Sequence, residues 1–168
     1  MTAPSLWFQP LGLRHWRFAR RLAADPSVRE VSWDRRPPTT LGHARWMWRW
    51  TRGAGPDRVA WVVRAAGFRA PVGMVRIERR PPPFQFVGEI SVALIAAARG
   101  RGYGAWAIRE ATERALASGS FSGLEATMRP GNPASQRAFR AAGYYVGRYP
   151  VALLDVVVMR AFPRERQP

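Results

Sequence analysis

One glycine-rich turn constrains this chain more than any other feature, the stretch at residues 99–104 that reads Arg-Gly-Arg-Gly-Tyr-Gly. It follows an apolar run over residues 90–98 and precedes a helical spacing of apolar residues over residues 105–117. Glycine lets the backbone approach a ligand closely, and the unpaired N–H groups at a helix start favour an anion. The order strand, turn and helix therefore predicts a phosphate cradle. The alternative is a turn that only caps the helix.

Composition limits the class of protein. The 168 residues suit one domain over residues 1–168, and a hydrophobic fraction of 47% is enough for a packed core. The absence of cysteine excludes disulfides, cysteine-based zinc sites and thiol nucleophiles. No apolar run reaches the roughly 18 residues that a spanning helix needs, and the N-terminus lacks an apolar signal core. We therefore expect a cytoplasmic protein without a membrane partner.

The net charge of +16 predicts rapid, salt-sensitive association with anions. All 27 basic residues are arginines, and they are scattered from Arg14 to Arg166. This distribution indicates a coding bias acting on the whole chain rather than selection for one basic patch. Nucleic-acid binding is accordingly the less favoured interpretation, and a small polyanionic ligand needs only a few of these arginines.

The apolar periodicity and the breakers predict elements in the order β-α-α-α-β-β-β-α-β-α-β-β. The strand Phe86–Ile95 leads into the glycine-rich turn. A later helix begins at Asn132-Pro133, with Asn132 as its cap, and ends at Gly143. This order indicates one mixed sheet with helices packed on it.

Two motifs in this order resemble the GNAT superfamily of N-acetyltransferases over residues 89–144. One is Arg99-x-x-Gly102-x-Gly104 after an apolar strand, and the other is Asn132-x-x-Ser135 followed by Phe139 and Gly143-Tyr144. The resemblance implies an α/β (α+β) fold: a mixed, mostly antiparallel twisted sheet of about seven strands with splayed central strands, flanked by about four helices.

The resemblance also implies acetyl-CoA as cosubstrate and no metal. The turn amides would hold the pyrophosphate, so a Cβ at Gly102 or Gly104 would block it. The strand backbone would pair with the pantetheine arm, and the thioester would lie between the splayed strands. The implied cofactor-binding residues are Val92, Ala93, Leu94, Arg99, Gly100, Arg101, Gly102, Tyr103, Gly104, Asn132, Ser135 and Arg140.

The N-terminal half is most similar to acetyltransferases of the pseudaminic-acid pathway type, which act on nucleotide-linked amino sugars. The resemblance lies in short motifs that include Asp25-Pro26-x-Val28-Arg29-x-x-Ser32 and His43-x-x-Trp46. It implies direct attack, in a ternary complex, by the primary amine of such a sugar, and a homodimer as a possible assembly. The expected acceptor contacts are Arg29, Ser32, His43, Trp46 and Arg76.

Two alternatives stay open at this point. The first is a protein N-terminal or ribosomal-protein acetyltransferase on the same fold. The second is a non-catalytic basic module that binds CoA or nucleic acid. The second alternative has support, because relatives carry a glutamate base and a tyrosine acid where this chain has Thr127 and Phe139.

Three other residues are candidates for the catalytic base. Glu89 is favoured because it lies on the strand beside the expected gap, where we expect apolar surroundings. Glu125 lies two residues before Thr127 on the same strand face, and His43 has an ordinary pKa near neutrality. CoA thiolate is a moderately good leaving group, so the reaction is open to a mechanism with or without a general acid, for which Tyr103, Tyr144 and Tyr145 are the candidates. Trp46 and Trp48 cannot both face inward on a helix, and we expect the exposed one to stack on a sugar or base.

Overall fold

The structure is a computed structural model that describes residues 5–52, 55–81, 87–147 and 156–163. Its strands are β1 (Leu6–Pro10), β2 (Arg58–Ala65), β3 (Gly73–Arg79), β4 (Val87–Leu94), β5 (Gly123–Met128), β6 (Tyr145–Val146) and β7 (Val157–Ala161). Its α-helices are α1 (Trp16–Ala24), α2 (Pro26–Val31), α3 (Thr40–Arg52), α4 (Tyr103–Ala117) and α5 (Pro133–Ala141).

The expected order of elements, which includes five helices, is confirmed, and the described part of the chain holds five α-helices where the resemblance implies about four. The additional helix is α2, a segment whose sequence permits a helix or a turn. Asp25 caps it by accepting a hydrogen bond from Ser27 N at 2.9 Å, and Pro26 occupies the first turn. Phe86, the expected start of β4, lies outside the described residues.

The sheet contains seven strands in the order β1-β2-β3-β4-β5-β7-β6. Every neighbouring pair is antiparallel except β4 and β5, which α4 connects as a parallel crossover. That parallel pair is short, running only from Val87 opposite Gly123 to Glu89 opposite Glu125. Beyond this point the two central strands separate, as the splayed sheet of the expected fold requires.

The two faces of the sheet carry separate hydrophobic clusters. On one face Val75, Ile77 and Leu124 pack with residues of α4 and α5, such as Ile108 and Phe139. On the other face, Val62 and Met74 pack against α1 and α3 through a second set of buried side chains: Phe18, Leu22, Met47 and Trp50. Strand alternation then places Glu89, Ser91, Glu125 and Thr127 on the face covered by α1–α3.

Candidate active site

A cavity of about 410 Å³ opens where β4 and β5 separate. Residues 90–93 of β4 and 126–128 of β5 form two of its sides, and α2, α3 and the loop between them close the third. The five expected acceptor contacts all lie in its wall: Arg29, Ser32, His43, Trp46 and Arg76. The fold therefore brings the motif with Arg29 and Ser32 and the motif with His43 and Trp46 next to β4, although more than 40 residues separate each motif from that strand.

Arg76 is a cation of this wall that is fixed by a hydrogen bond and by two aromatic rings. Its Nε donates to Ser91 Oγ at 2.7 Å, and its guanidinium carbon lies 5.9 Å and 5.8 Å from the ring centroids of Trp46 and Trp50. Burial lowers the pKa of Arg76, while the carboxylates of Glu78 and Glu89 oppose that shift. An arginine starts from a pKa so high that the group stays charged at neutral pH.

Arg29 organises the loop that follows α2. Its Nη1 donates to the carbonyl oxygens of Asp34 at 2.9 Å and Arg36 at 3.5 Å. Its Nε is buried and has no acceptor among the described residues. Arg29 therefore adds positive charge to the wall while fixing the loop that covers the cavity.

His43 is buried between two tryptophan rings. Its ring lies 4.6 Å from the Trp16 ring and 5.7 Å from the Trp46 ring, measured between centroids. Its Nε2 lies 3.3 Å from the Trp16 carbonyl oxygen, and because a carbonyl only accepts, Nε2 carries the proton. Burial lowers the pKa of His43, and the Trp16 hydrogen bond opposes this only in part. The imidazole is therefore neutral at pH 7.

The two expected carboxylate bases differ in their surroundings. Glu125 is almost fully buried, and its two oxygens accept from Arg80 and from Arg160 Nε, the latter at 2.6 Å. This double ion pair gives Glu125 a structural role, and its place as second candidate base stays a prediction. The side chain of Glu89 makes no hydrogen bond or ion pair with the described residues, although its backbone is paired in the sheet.

The environment of Glu89 is not apolar as expected. Its register partners are Glu78 on β3 and Glu125 on β5, and it interacts electrostatically with Arg76. Ile90, an apolar neighbour on β4, faces the opposite cluster. Glu89 lies where β4 and β5 begin to separate, just outside the wall of the cavity. Ser91 and Ala93, on the same face of β4, do line the cavity.

The glycine-rich turn forms an open cradle. Gly100 and Gly102 have φ of 72° and 77°, and Gly102 caps α4 without a side chain. The amides of residues 100–104 donate to no acceptor in the described part of the chain. Arg101 is exposed beside them, so backbone donors, a helix N-terminus and one cation converge at this turn.

Two residues of this turn have other contacts than expected. The Arg99 guanidinium donates to Leu94 O at 2.9 Å and to Ser27 Oγ at 2.8 Å, so it ties the turn to β4 and to α2. Tyr103 is buried and packs in the hydrophobic cluster around α4. Both side chains therefore shape the cradle, and their direct contact with the cofactor stays a prediction.

The β4 backbone and α5 complete the surroundings of the gap. β4 pairs with β3 through Val92, Ala93 and Leu94. On the side toward β5 these three residues have no strand partner, because the β4–β5 pairing ends at Glu89. Asn132 Oδ1 accepts from Ser135 N at 3.1 Å, so it caps α5 as expected, and both residues lie in the cavity wall. Arg140 is exposed on α5.

Thr127 and Phe139 occupy the positions where relatives carry the glutamate base and the tyrosine acid. Thr127 and Phe139 both lie in the cavity wall, where neither transfers a proton. Tyr144 is in the core, with its hydroxyl 2.8 Å from Thr112 Oγ1, and burial raises the pKa of Tyr144. Of the two helical tryptophans, Trp48 is exposed, but it lies outside the cavity, whereas Trp46 lines it.

Sequence reasoning missed three residues at this site. Trp33 and Asp34 lie in the wall, and Arg129 contacts Trp33 from the loop that follows β5. The exposed sequence Trp-Asp-Arg-Arg before a proline pair was the available signal for the first two. Arg129 had none, because it is 96 positions away from Trp33.

The model of the acetyltransferase (GNAT) domain family matches residues 5–145 of this chain, across the splayed strands, the open cradle and the cavity. The chain belongs to this family. It is an acetyl-CoA-dependent N-acetyltransferase, and the open edge of β4 and the free amides of the turn fit that cosubstrate. No group of three or more metal-ligating side chains occurs within the described ranges.

Solved structures show the same fold at low sequence identity. A domain from Methanocaldococcus jannaschii superposes with a TM-score of 0.77 at 12% identity, covering 95% of this chain and 99% of that one. An aminoglycoside acetyltransferase in complex with coenzyme A and kanamycin gives 0.76 at 14% identity, covering 96% of each. Spermidine N-acetyltransferase from Vibrio cholerae, in complex with CoA and spermine, gives 0.75 at 14% identity, covering 94% and 95%. No match was found among curated proteins.

The described helices are also too short or too polar to cross a bilayer.

Proposed function

We propose that this enzyme acetylates the primary amine of a nucleotide-linked amino sugar by direct attack in a ternary complex. The charge of the cavity wall carries the proposal. Arg29 and Arg76 are both cations, and Asp34 is the single carboxylate among the described wall residues. That carboxylate already accepts from Arg36 N at 2.9 Å and pairs with the Arg36 guanidinium. The site therefore suits an acceptor that carries a negative charge beside its amine.

The same charge argues against polycationic acceptors. The structural neighbours named for aminoglycosides and spermidine share the fold, but an acceptor with several ammonium groups would meet Arg29 and Arg76 at close range. Like charges facing each other across a site discriminate strongly against the wrong ligand. The Trp46 ring in the wall suits the apolar face of a sugar ring.

Acetyl-CoA supplies the activated acetyl group as a thioester. The amides of residues 100–104, with Arg101, hold its pyrophosphate. The open edge of residues 92–94 would pair with the pantetheine arm, and Asn132 and Ser135 line the gap beside it. Glu89 accepts the proton of the attacking amine through a water molecule, since its carboxylate has no described partner and lies at the point of separation.

The proposal is tested by acetyl transfer to a panel of amines at equal concentration. The panel contains a UDP-linked 4-amino sugar, the same amino sugar without its nucleotide, kanamycin, spermidine and a peptide with a free N-terminus. We expect the highest kcat/KM for the nucleotide-linked sugar. Preferential turnover of kanamycin, spermidine or the peptide would reject the acceptor class. CoA binding without turnover of any amine would favour the non-catalytic alternative.

A further inference from the structure

A second concave surface lies next to the cavity, between α2 and the loop that follows β5. This outer groove has a volume of about 560 Å³, and its wall includes Glu30, Trp33, Arg35, Arg129 and Gly131. Val31 and Trp33 belong to the walls of both the cavity and the groove. The groove therefore adjoins the cavity along these two residues.

Trp33 separates the two spaces and presents an aromatic surface to solvent. Its side chain is 54% exposed, although burial of a tryptophan is normally favourable. The Arg129 guanidinium carbon lies 5.4 Å from the Trp33 ring centroid, and Arg129 Nη2 donates weakly to Trp33 O at 3.4 Å. These contacts hold the ring in place from the β5 side. A fixed, exposed indole is a platform on which a planar base stacks.

The described residues that line the groove carry more positive than negative charge. Among them are Arg35 and Arg129 and one carboxylate, that of Glu30, and the Nε of Arg129 is buried without an acceptor in the described part of the chain. The loop that carries Trp33 and Arg35 is held by Arg29, whose Nη1 donates to Asp34 O. Guanidinium groups bind phosphate through paired hydrogen bonds. An aromatic platform beside two arginines matches the base and phosphates of a nucleotide.

We propose that the outer groove binds the nucleoside phosphate half of the acceptor, with the base stacked on Trp33 and the phosphates held by Arg35 and Arg129. The amino sugar then occupies the 410 Å³ cavity, with its amine directed to the gap between β4 and β5. This inference rests on the proposed function, because it names the part of the same acceptor that the cavity does not hold.

The test measures UDP and pyrophosphate binding by calorimetry, independently of catalysis. Trp33→Ala should weaken UDP binding by about 10-fold to 100-fold, the usual value of one base stacked on an aromatic ring. It should leave pyrophosphate and CoA binding unchanged, and Trp33→Phe should recover part of the loss. Arg129→Gln should weaken UDP and pyrophosphate together.

Trp48→Ala is the matched control, because Trp48 is 58% exposed and has the Arg52 guanidinium 4.3 Å from its ring centroid, yet lines neither space. Equal UDP affinity in Trp33→Ala and the native protein, or an equal loss in Trp48→Ala, overturns the proposal. If UDP binds through Trp33 but no nucleotide-linked amine is acetylated, the groove stands and the proposed function fails. If such an amine is acetylated with a KM that Trp33→Ala leaves unchanged, the function stands and the groove proposal fails.

Discussion

At the scale of single residues, the two carboxylates of the β4–β5 junction make a clear contrast. Glu89 and Glu125 lie opposite each other in the sheet, yet Glu125 is bound by two arginines and Glu89 by none of the described residues. The same residue type at neighbouring positions thus serves two purposes. Glu125 neutralises the guanidinium groups that β7 and the end of β3 bring under the sheet, and Glu89 is the residue that we propose as the base.

Substitution of these two carboxylates separates the roles. Glu89→Gln keeps the shape and removes the basicity, so kcat should fall by about 10²–10⁴-fold while acetyl-CoA affinity is unchanged. The rate should recover in part at higher pH, where the amine itself loses its proton. Glu125→Gln is the control: it should cost about 1–3 kcal/mol in the free energy of unfolding, because two half-buried guanidinium groups lose the buried carboxylate that accepts from them. Native turnover in Glu89→Gln at neutral pH would transfer the role of base to His43.

At the scale of elements, the turn before α4 shows what a motif does and does not reveal. The sequence treats Gly102 and Gly104 alike, as places where a Cβ would block the pyrophosphate. In the structure Gly102 has φ of 77° with open space around it, whereas a Cβ at Gly104 would meet Ala138 and Leu94 side chains at 3.7 Å. Only Gly102 therefore requires glycine, and Gly104 faces the packing between α4, α5 and β4.

The two glycines should respond differently to substitution. Gly102→Val places a branched side chain at the mouth of the cradle in a left-handed conformation, so CoA binding should be lost with a destabilisation of roughly 1–2 kcal/mol. Gly104→Ala should keep both CoA affinity and stability, since 3.7 Å is an ordinary contact. Gly119→Val carries the same backbone strain at φ of 71°, far from the turn, and should lose stability without losing CoA binding. Native CoA affinity in folded Gly102→Val would show that the turn is not the cradle.

The order of elements could be predicted because each one is a local pattern, as with Asn132 capping α5. The splay of β4 from β5 followed from the resemblance rather than from any local signal. The contacts of Arg99 with Ser27 and of Arg129 with Trp33 join segments 72 and 96 positions apart. These contacts depend on the position of α2 between the ends of β4 and β5. The spacing of apolar residues along the chain does not predict that position. The surroundings of Glu89 were misjudged for the same reason, because they come from β3 and β5.

At the scale of the whole molecule, the two faces of the sheet differ in how they use polar groups. The α4–α5 face is an almost continuous apolar cluster. The α1–α3 face mixes a smaller apolar cluster with buried or half-buried charge, including Arg76 and Glu125. It also holds His43 inside the wall of the cavity. Stability and function therefore share this second face, and conditions that change its ionisation should affect both.

Acid should destabilise the fold in a specific pH window. The pKa values of His43 and His15 are both lowered, chiefly by burial, and Arg14 and Arg64 add to the effect at His15. Below the ordinary histidine pKa of about 6.5 the unfolded chain binds more protons than the folded one. The free energy of unfolding therefore decreases as the pH is lowered through this range. Protonating both groups would also raise a net charge that is already +16. Contributions from Asp25 and Glu78, whose pKa values are lowered, should be lost only at more acidic pH.

Urea unfolding at constant ionic strength measures this dependence. We expect the free energy of unfolding to be nearly constant from pH 8 to pH 7 and to decrease from about pH 6.5 downward. His43→Gln should be less stable at pH 7.5, because it leaves a gap between the Trp16 and Trp46 rings, but its profile between pH 7.5 and pH 5.5 should be flatter. His15→Gln should flatten the same window independently, since the two histidines lie in separate environments, and the double variant should add the two effects. A native profile that is flat down to pH 5.5 would mean that both imidazoles gain protons without cost, against the burial that the structure gives them.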